Sequence, residues 1–149
     1  MKIALGSDHR GYKLKEEIKK YSEEKDIEYI DFGTNSEELV NFPEIAKDVC
    51  FGVQNKKYDN AILVCGSGFG MAIVANKFKG VRCVPCYTEE TVKLAKQHNN
   101  INVLALPADF ITTNDAICII RTWLATEFLG GRYENRNKMI EEIEKENMK

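Results

Sequence analysis

In AILVCGSGFGMAIVANK, residues 61 to 77, a thiol closes an apolar stretch and three glycines follow at alternate positions. A cysteine at a strand end, facing a helix N-terminus, is placed to be a thiolate that serves as base or nucleophile. Buried without such surroundings, Cys65 would be a small hydrophobe. Gly66, Ser67, Gly68, Phe69 and Gly70 can turn backbone N–H groups onto an oxyanion or phosphate; the plain alternative is a tight turn. The loop lacks the G-x-G-x-x-G spacing of dinucleotide sites and follows the third predicted strand, and no Lys-Ser/Thr pair makes it a Walker loop. The two histidines are His9, in SDHRG, and His98, in KQHNN. Each could be a polar cap, but both fall in predicted loops at the site edge, which favours a shared role. Arg132 and Arg136 stand four apart in GGRYENR, as a solvated helix start or as a phosphate clamp. Cys83 and Cys86 form a C-x-x-C with no second pair for zinc. Both read as core or strand-edge thiols, and Cys50 and Cys118 as helix packing.

These groups need elements to hold them. Short apolar runs at 2–6, 27–33, 60–65, 81–87 and 102–107 predict five strands. Helical patterns fall between them: Leu14, Ile18 and Tyr21 share one face, and Ile45, Val49 and Val53 share another. Thr88 is a predicted N-cap with Glu89 and Glu90 in the first turn. A helix after Thr112 is expected to stop at Gly130-Gly131, and a charged helix over 134–147 carries Met139, Ile140 and Ile143. Such alternation predicts an α/β fold, a five-stranded parallel sheet with helices on both faces and an extended C-terminal helix. Ligands of such sheets bind beyond the carboxyl ends of the strands. That edge collects Asp8 and His9, Cys65 to Gly70, and Pro107 to Asp109.

The chain of 149 residues fits one domain, 1–149. A net charge of −2 gives no global attraction for nucleic acid or an anionic membrane. The start turns polar after Leu5, and no run approaches the roughly 18 apolar residues of a membrane span. Five cysteines, an odd number without framework spacing, suggest reduced thiols in a cytoplasm.

Together, MKIALGSDHRGYKLKEEI, YIDFGT, ILVCGSGFGMAIVANK, GVRC, QHNNINVLAL and TEFLGGR resemble the family of ribose-5-phosphate isomerase type B and the galactose-6-phosphate isomerase subunits, over nearly the whole chain. The resemblance implies a Rossmann-like sandwich, no metal or organic cofactor, and a homodimer or a tetramer, with the tail from 130 to 149 contributing to the dimer. It implies interconversion of ribose 5-phosphate and ribulose 5-phosphate through a cis-enediolate. By position, Cys65 matches the base and Gly66 to Gly70 the loop around the reacting carbons. His98 matches the ring-opening residue and Asn99 its binding neighbour. Asp8 and His9 match substrate contacts, and Arg132 and Arg136 the phosphate end. Loop N–H groups and the Ser67 hydroxyl would then be oxyanion donors, each worth about 2.7–4 kcal/mol at the transition state.

Several positions depart from the family pattern. Asn41-Phe42 replaces an Asp-Tyr pair, Tyr87-Thr88 follows Cys86 in place of His-Asp, Asp109 stands where an arginine usually serves the phosphate, and Tyr133 replaces a histidine. Alternatives are therefore isomerisation of another aldose phosphate, such as a six-carbon one, or a catalytically weak sugar-phosphate-binding protein. Asp109 beside a dianionic phosphate would cost roughly 3 kcal/mol per unit-charge pair at about 6 Å. The expectation is that His9, Arg132 and Arg136 alone hold the phosphate, and that Asp109→Arg lowers KM several-fold.

Overall fold

The structure is a computed structural model that describes residues 1–148. Strands β1 (Lys2–Ser7), β2 (Glu28–Asp31), β3 (Asn60–Cys65), β4 (Cys83–Pro85) and β5 (Val103–Pro107) alternate with helices α1 (Tyr12–Glu24), α2 (Phe42–Gln54), α3 (Phe69–Ala75), α4 (Glu89–Asn99) and α5 (Thr113–Ala125). The last helix, α6 (Arg132–Asn147), closes the chain. The strands form one parallel sheet in the order β2-β1-β3-β5-β4. This is the predicted architecture.

Side-chain alternation assigns each helix to a face. Ile3, Leu5, Ile62, Val64, Leu104 and Leu106 meet Leu14 and Ile18 of α1, Val92 of α4, and Ile119 and Trp123 of α5. Ala4, Ala61, Leu63, Cys65, Val103 and Ala105 meet Val49 and Val53 of α2 and Met71 and Ala75 of α3. Both faces are covered, so the central strands read as unbroken apolar runs. Burying one large aliphatic side chain contributes about 1.5–3 kcal/mol, which outweighs any helix propensity in fixing these layers.

The element ends follow local chemistry. Thr88 and Thr112 both cap their helices in capping boxes, with Thr91 and Asp115 answering back. β4 is only three residues long; Pro85 has no N–H to continue the ladder, and the strand lies at the sheet's edge. Two expected boundaries shift. α5 stops at Ala125, not at the glycine pair, because Thr126 is already extended. Gly130 and Gly131 take positive φ and open the last helix, which begins at Arg132 and not at 134. Cys50, Cys83 and Cys86 are buried as expected, whereas Cys118 is half-exposed with its sulfur beside Arg121. Cys118 is therefore not core packing: its position on α5 turns outward.

A charged cluster lies beneath the β1–α1 side. Lys15 is fully buried and its Nζ donates to both oxygens of Asp31, at 2.8 and 2.7 Å. Lys19 reaches the same carboxylate at 3.0 Å, and the Gly33 N–H donates to it at 2.8 Å. Burial alone would raise the Asp31 pKa, but the bonds from Lys15, Gly33 and Lys19 outweigh it and hold the carboxyl below its ordinary value. The chain beyond β2 is thereby fixed alongside β1, where the Ser7 N–H donates to Gly33 O and the Thr34 N–H donates to Ser7 O. Asp31→Asn removes the closer of the two carboxylates on buried Lys15, leaving only Glu16 at 3.2 Å, and should cost about 3 kcal/mol in urea unfolding at pH 7. Because the folded-state pKa of Asp31 is lowered, its stabilisation is complete above the ordinary value of 3.8 and is lost as pH falls through the lower folded value. The gap between wild type and variant should therefore close in strong acid.

Candidate active site

The strand order puts the carboxyl ends of β1, β3 and β5 side by side, with the chain leaving β1 in one direction and β3 in the other. A crevice at such a reversal is the favoured ligand site of an open α/β sheet. Here a cavity of about 390 Å³ opens between the three ends, lined by Asp8, Arg10, Phe42, Cys65, Gly66, Ser67, Gly70, Asp109 and Phe110.

The floor is the glycine loop. Cys65 ends β3 and is 5% exposed. Its sulfur accepts the Gly68 N–H at 3.2 Å, so a donor points at the atom that would carry charge as a thiolate. Gly68 sits at φ +80 as the N-cap of α3, a left-handed conformation that L side chains disfavour. Ser67 Oγ accepts the Phe69 N–H at 3.2 Å. The loop after β5 is zipped to this one: Ala108 N–H donates to Cys65 O at 2.8 Å and Asp109 N–H to Gly66 O at 3.0 Å. Burial pushes Cys50 up to about 12 and Cys86 up to about 11, and drives Cys83 well above its ordinary value.

The walls come from the ends of β1 and β5 and from Phe42 of α2, with Tyr87, just after β4, bracing the loop from outside. Asp8 is buried and its Oδ1 accepts the N–H groups of Arg10 and Gly11, both at 3.0 Å. It organises the β1–α1 turn as well as lining the cavity. His9 Nδ1 accepts the Val40 N–H at 3.3 Å, tying that turn to the segment before α2. Tyr87 donates its hydroxyl to Ser67 O at 2.8 Å. Its ring lies between Phe69 and Phe110, with centroids 6.1 and 6.0 Å away. The phenol thus pins the glycine loop from outside, a contact between residues twenty apart that no sequence spacing advertises.

His98, Asn99, Arg132 and Arg136 are elsewhere. α4 starts at the carboxyl edge and runs back against the strands, so His98 lies at the opposite edge of the sheet. Cys65 is in register with Pro107, four residues beyond Val103, which is about 13 Å along the strand before α4 ends beyond it. There the His98 ring stacks on Tyr133, with centroids 4.3 Å apart and planes 6° from parallel. Arg132 and Arg136 flank the same phenol at 5.0 and 5.7 Å. Asn137 donates to His98 O at 3.4 Å and docks α6 on α4. The sequence-predicted site residues therefore form two groups, one at each edge. Arg10, Tyr87 and Tyr133 join these groups as residues the sequence did not single out as site members. Among the described residues, no three His, Cys, Asp or Glu side chains cluster as metal ligands, and no helix is long and apolar enough to cross a membrane.

A doubly wound α/β sheet with a thiol at the end of its third strand and a glycine loop below it defines the class. The ribose/galactose isomerase family model matches residues 3–140. The chain is 41% identical to ribose-5-phosphate isomerase B of Escherichia coli over 143 residues, 96% of each chain. The solved ribose-5-phosphate isomerase B of Clostridium thermocellum superposes with a TM-score of 0.96 at 40% identity, covering 98% of this chain and 99% of that one. That of Mycoplasma genitalium, solved with bound ribulose-5-phosphate, gives 0.93 at 37% identity over 98% and 97%. The chain belongs to the ribose/galactose isomerase family.

Gly68→Ala tests the floor. Holding alanine at this φ should cost roughly 1–2 kcal/mol of stability, and the relaxed loop should move its N–H off the Cys65 sulfur. Thermal unfolding and steady-state turnover should fall together; an alanine variant of wild-type stability would show that the turn does not depend on glycine here.

Proposed function

We propose that the protein, acting as one isomerase domain in the cytoplasm, interconverts D-ribose 5-phosphate and D-ribulose 5-phosphate without a metal or organic cofactor. The observation that carries this reading is the Cys65 sulfur, held in a cavity under a backbone donor and beside the Ser67 hydroxyl. The Cys65 thiolate takes the proton from carbon 2 of the open aldose, and the electron pair moves to give a cis-enediolate. The same thiol returns the proton to carbon 1 while the O2 proton passes to O1, so the oxygen on carbon 2 becomes the ketone and that on carbon 1 a hydroxyl. Loop N–H groups and Ser67 face the oxygens on which charge develops. Asp8 and His9 contact the sugar, along with Gly66, Gly68, Phe69 and Gly70.

His98 protonates the ring oxygen when the cyclic aldose opens, with Asn99 beside it and Arg132 and Arg136 toward the phosphate. These four lie at the far edge of their own sheet, so the reading requires His98 of the partner subunit at the Cys65 of this one. Support comes from two exposed apolar surfaces: Phe69, Ile73 and Phe110 near the cavity, and Met139, Ile140 and Ile143 on α6. A two-fold dimer brings the first against the second twice and builds two sites. A second reading, a six-carbon aldose phosphate, is favoured by Phe42 and Asp109, altered positions that line the cavity. Assay of the purified protein against pentose and hexose phosphates separates the two.

Cys65→Ala should lower kcat by about 100-fold or more, with a modest change in KM; near wild-type turnover would assign the base elsewhere. His98→Asn should slow the cyclic aldose far more than the open ketose. Mixing the two variants through unfolding and refolding gives a sharper result. Random mixed dimers hold one intact site each, so aldose turnover should recover to about a quarter of wild type. No recovery would mean that both residues serve one site from the same chain.

A further inference from the structure

The cavity holds one cation, Arg10, and it is not among the residues that the family resemblance assigns. Arg10 Nη2 donates to Asp109 Oδ2. Exposed ion pairs contribute little to stability, so the placement of this one needs another reason. Both backbones are held, that of Arg10 within the β1–α1 turn and that of Asp109 on the loop that carries the thiol. The Arg10 backbone is held by Asp8 at 3.0 Å, and the Asp109 N–H donates to Gly66 O at 3.0 Å. The pair lies directly over Gly66: a Cβ there would stand 2.7 Å from Asp109 Oδ2 and 3.0 Å from Arg10 Nε. A side chain at 66 would displace it.

The two side chains differ in exposure: that of Arg10 is 59% exposed and that of Asp109 32%, so the guanidinium is the more open to solvent. One arm of the planar fork is taken by Asp109, which leaves further N–H donors of Arg10 for a second anion. An incoming phosphate meets a fixed guanidinium and not a bare carboxylate. The repulsion expected for Asp109 is thereby offset, and Arg10 adds a further cation to the expected set of His9, Arg132 and Arg136.

We propose that Arg10 binds the substrate's phosphate group in the Cys65 cavity, and that Asp109 is the positioning residue that aims it. This rests on the isomerase reading for the identity of the substrate. From carbon 2 to phosphorus an open five-carbon phosphate spans roughly 6 Å, and thiol and guanidinium both line the cavity that would hold it.

The test measures KM and kcat with ribose 5-phosphate, and the Kd of inorganic phosphate by calorimetry, for four proteins: wild type, Arg10→Met, Asp109→Asn and the double variant. Arg10→Met should raise KM and the phosphate Kd together by roughly tenfold, with a much smaller change in kcat. Asp109→Asn should raise both several-fold, and the double variant should be no worse than Arg10→Met, because Asp109 acts only through Arg10. Asp109→Arg should raise KM as well, since it sets two guanidinium groups against each other. Should Arg10→Met not fold, Arg10→Lys keeps the charge without the fork and should give an intermediate KM and Kd. An unchanged phosphate Kd in the Arg10 variants, a loss confined to kcat, or independent additive effects of the two residues would each overturn the proposal. If wild type turns over no sugar phosphate, the isomerase reading fails, and the calorimetric arm still decides whether Arg10 binds the anion.

Discussion

In a parallel sheet every strand ends at the same edge, and every helix that crosses back ends at the opposite one. All of the chemistry in this chain is subject to that constraint. The β1, β3 and β5 ends gather Asp8, Arg10, Cys65 and Asp109 around one cavity. The α4 end and the α6 start gather His98, Tyr133, Arg132 and Arg136 at the far edge. No rotamer change bridges a gap of about 13 Å set by the strand length itself. On the proposed isomerase reading, proton transfer and ring opening at the same sugar would draw on a second copy of the chain, which would make dimerisation part of the chemistry rather than an addition to stability.

The altered positions form local systems rather than isolated losses. Tyr87 cannot act as a histidine, but its hydroxyl closes on Ser67 O and its ring joins Phe69 and Phe110. Tyr133 supplies a flat face for His98, and that face also receives both arginines. Cations above the ring and an imidazole stacked on it restrain one another in a single packed unit. Asp109 and Arg10 make the third such system. In each, a residue that looks foreign to the family pattern has a partner within contact distance.

Much of this was legible in the sequence where the signal is local. Hydrophobic period gave the five strands, the threonine caps gave the starts of α4 and α5, and the thiol followed by alternating glycines marked the loop under the cavity. The exact ends were less legible. Gly130 and Gly131 read equally well as the stop of one helix or the start of the next, and only backbone angles decide between them. Lys15 looks like a solvated helix position until Asp31, sixteen residues on, proves to lie beside it. Tyr87 with Ser67 and Arg10 with Asp109 were invisible for the same reason, since each pair meets only once the sheet has formed. The placement of His98 was different. A helix between two parallel strands must end at the far edge, so its separation from Cys65 was implied by the topology before any coordinates.

The arrangement also explains why a glycine-rich loop tolerates charged neighbours. A bare carboxylate at 109 would repel an anionic ligand, and an unpaired guanidinium at 10 could swing on a long, flexible stem. Paired, each corrects the other: the carboxylate loses its repulsion and the guanidinium loses its freedom. The pairing is possible only because position 66 carries no side chain and the β5 loop is hydrogen-bonded to it. Gly66 thus has two functions that cannot be separated. On the isomerase reading it lets the backbone approach the reacting carbons next to Cys65, and it leaves room for the ion pair above. A change at 66 would therefore disturb both ends of the bound molecule at once, whereas a change at 10 or 109 reaches only one.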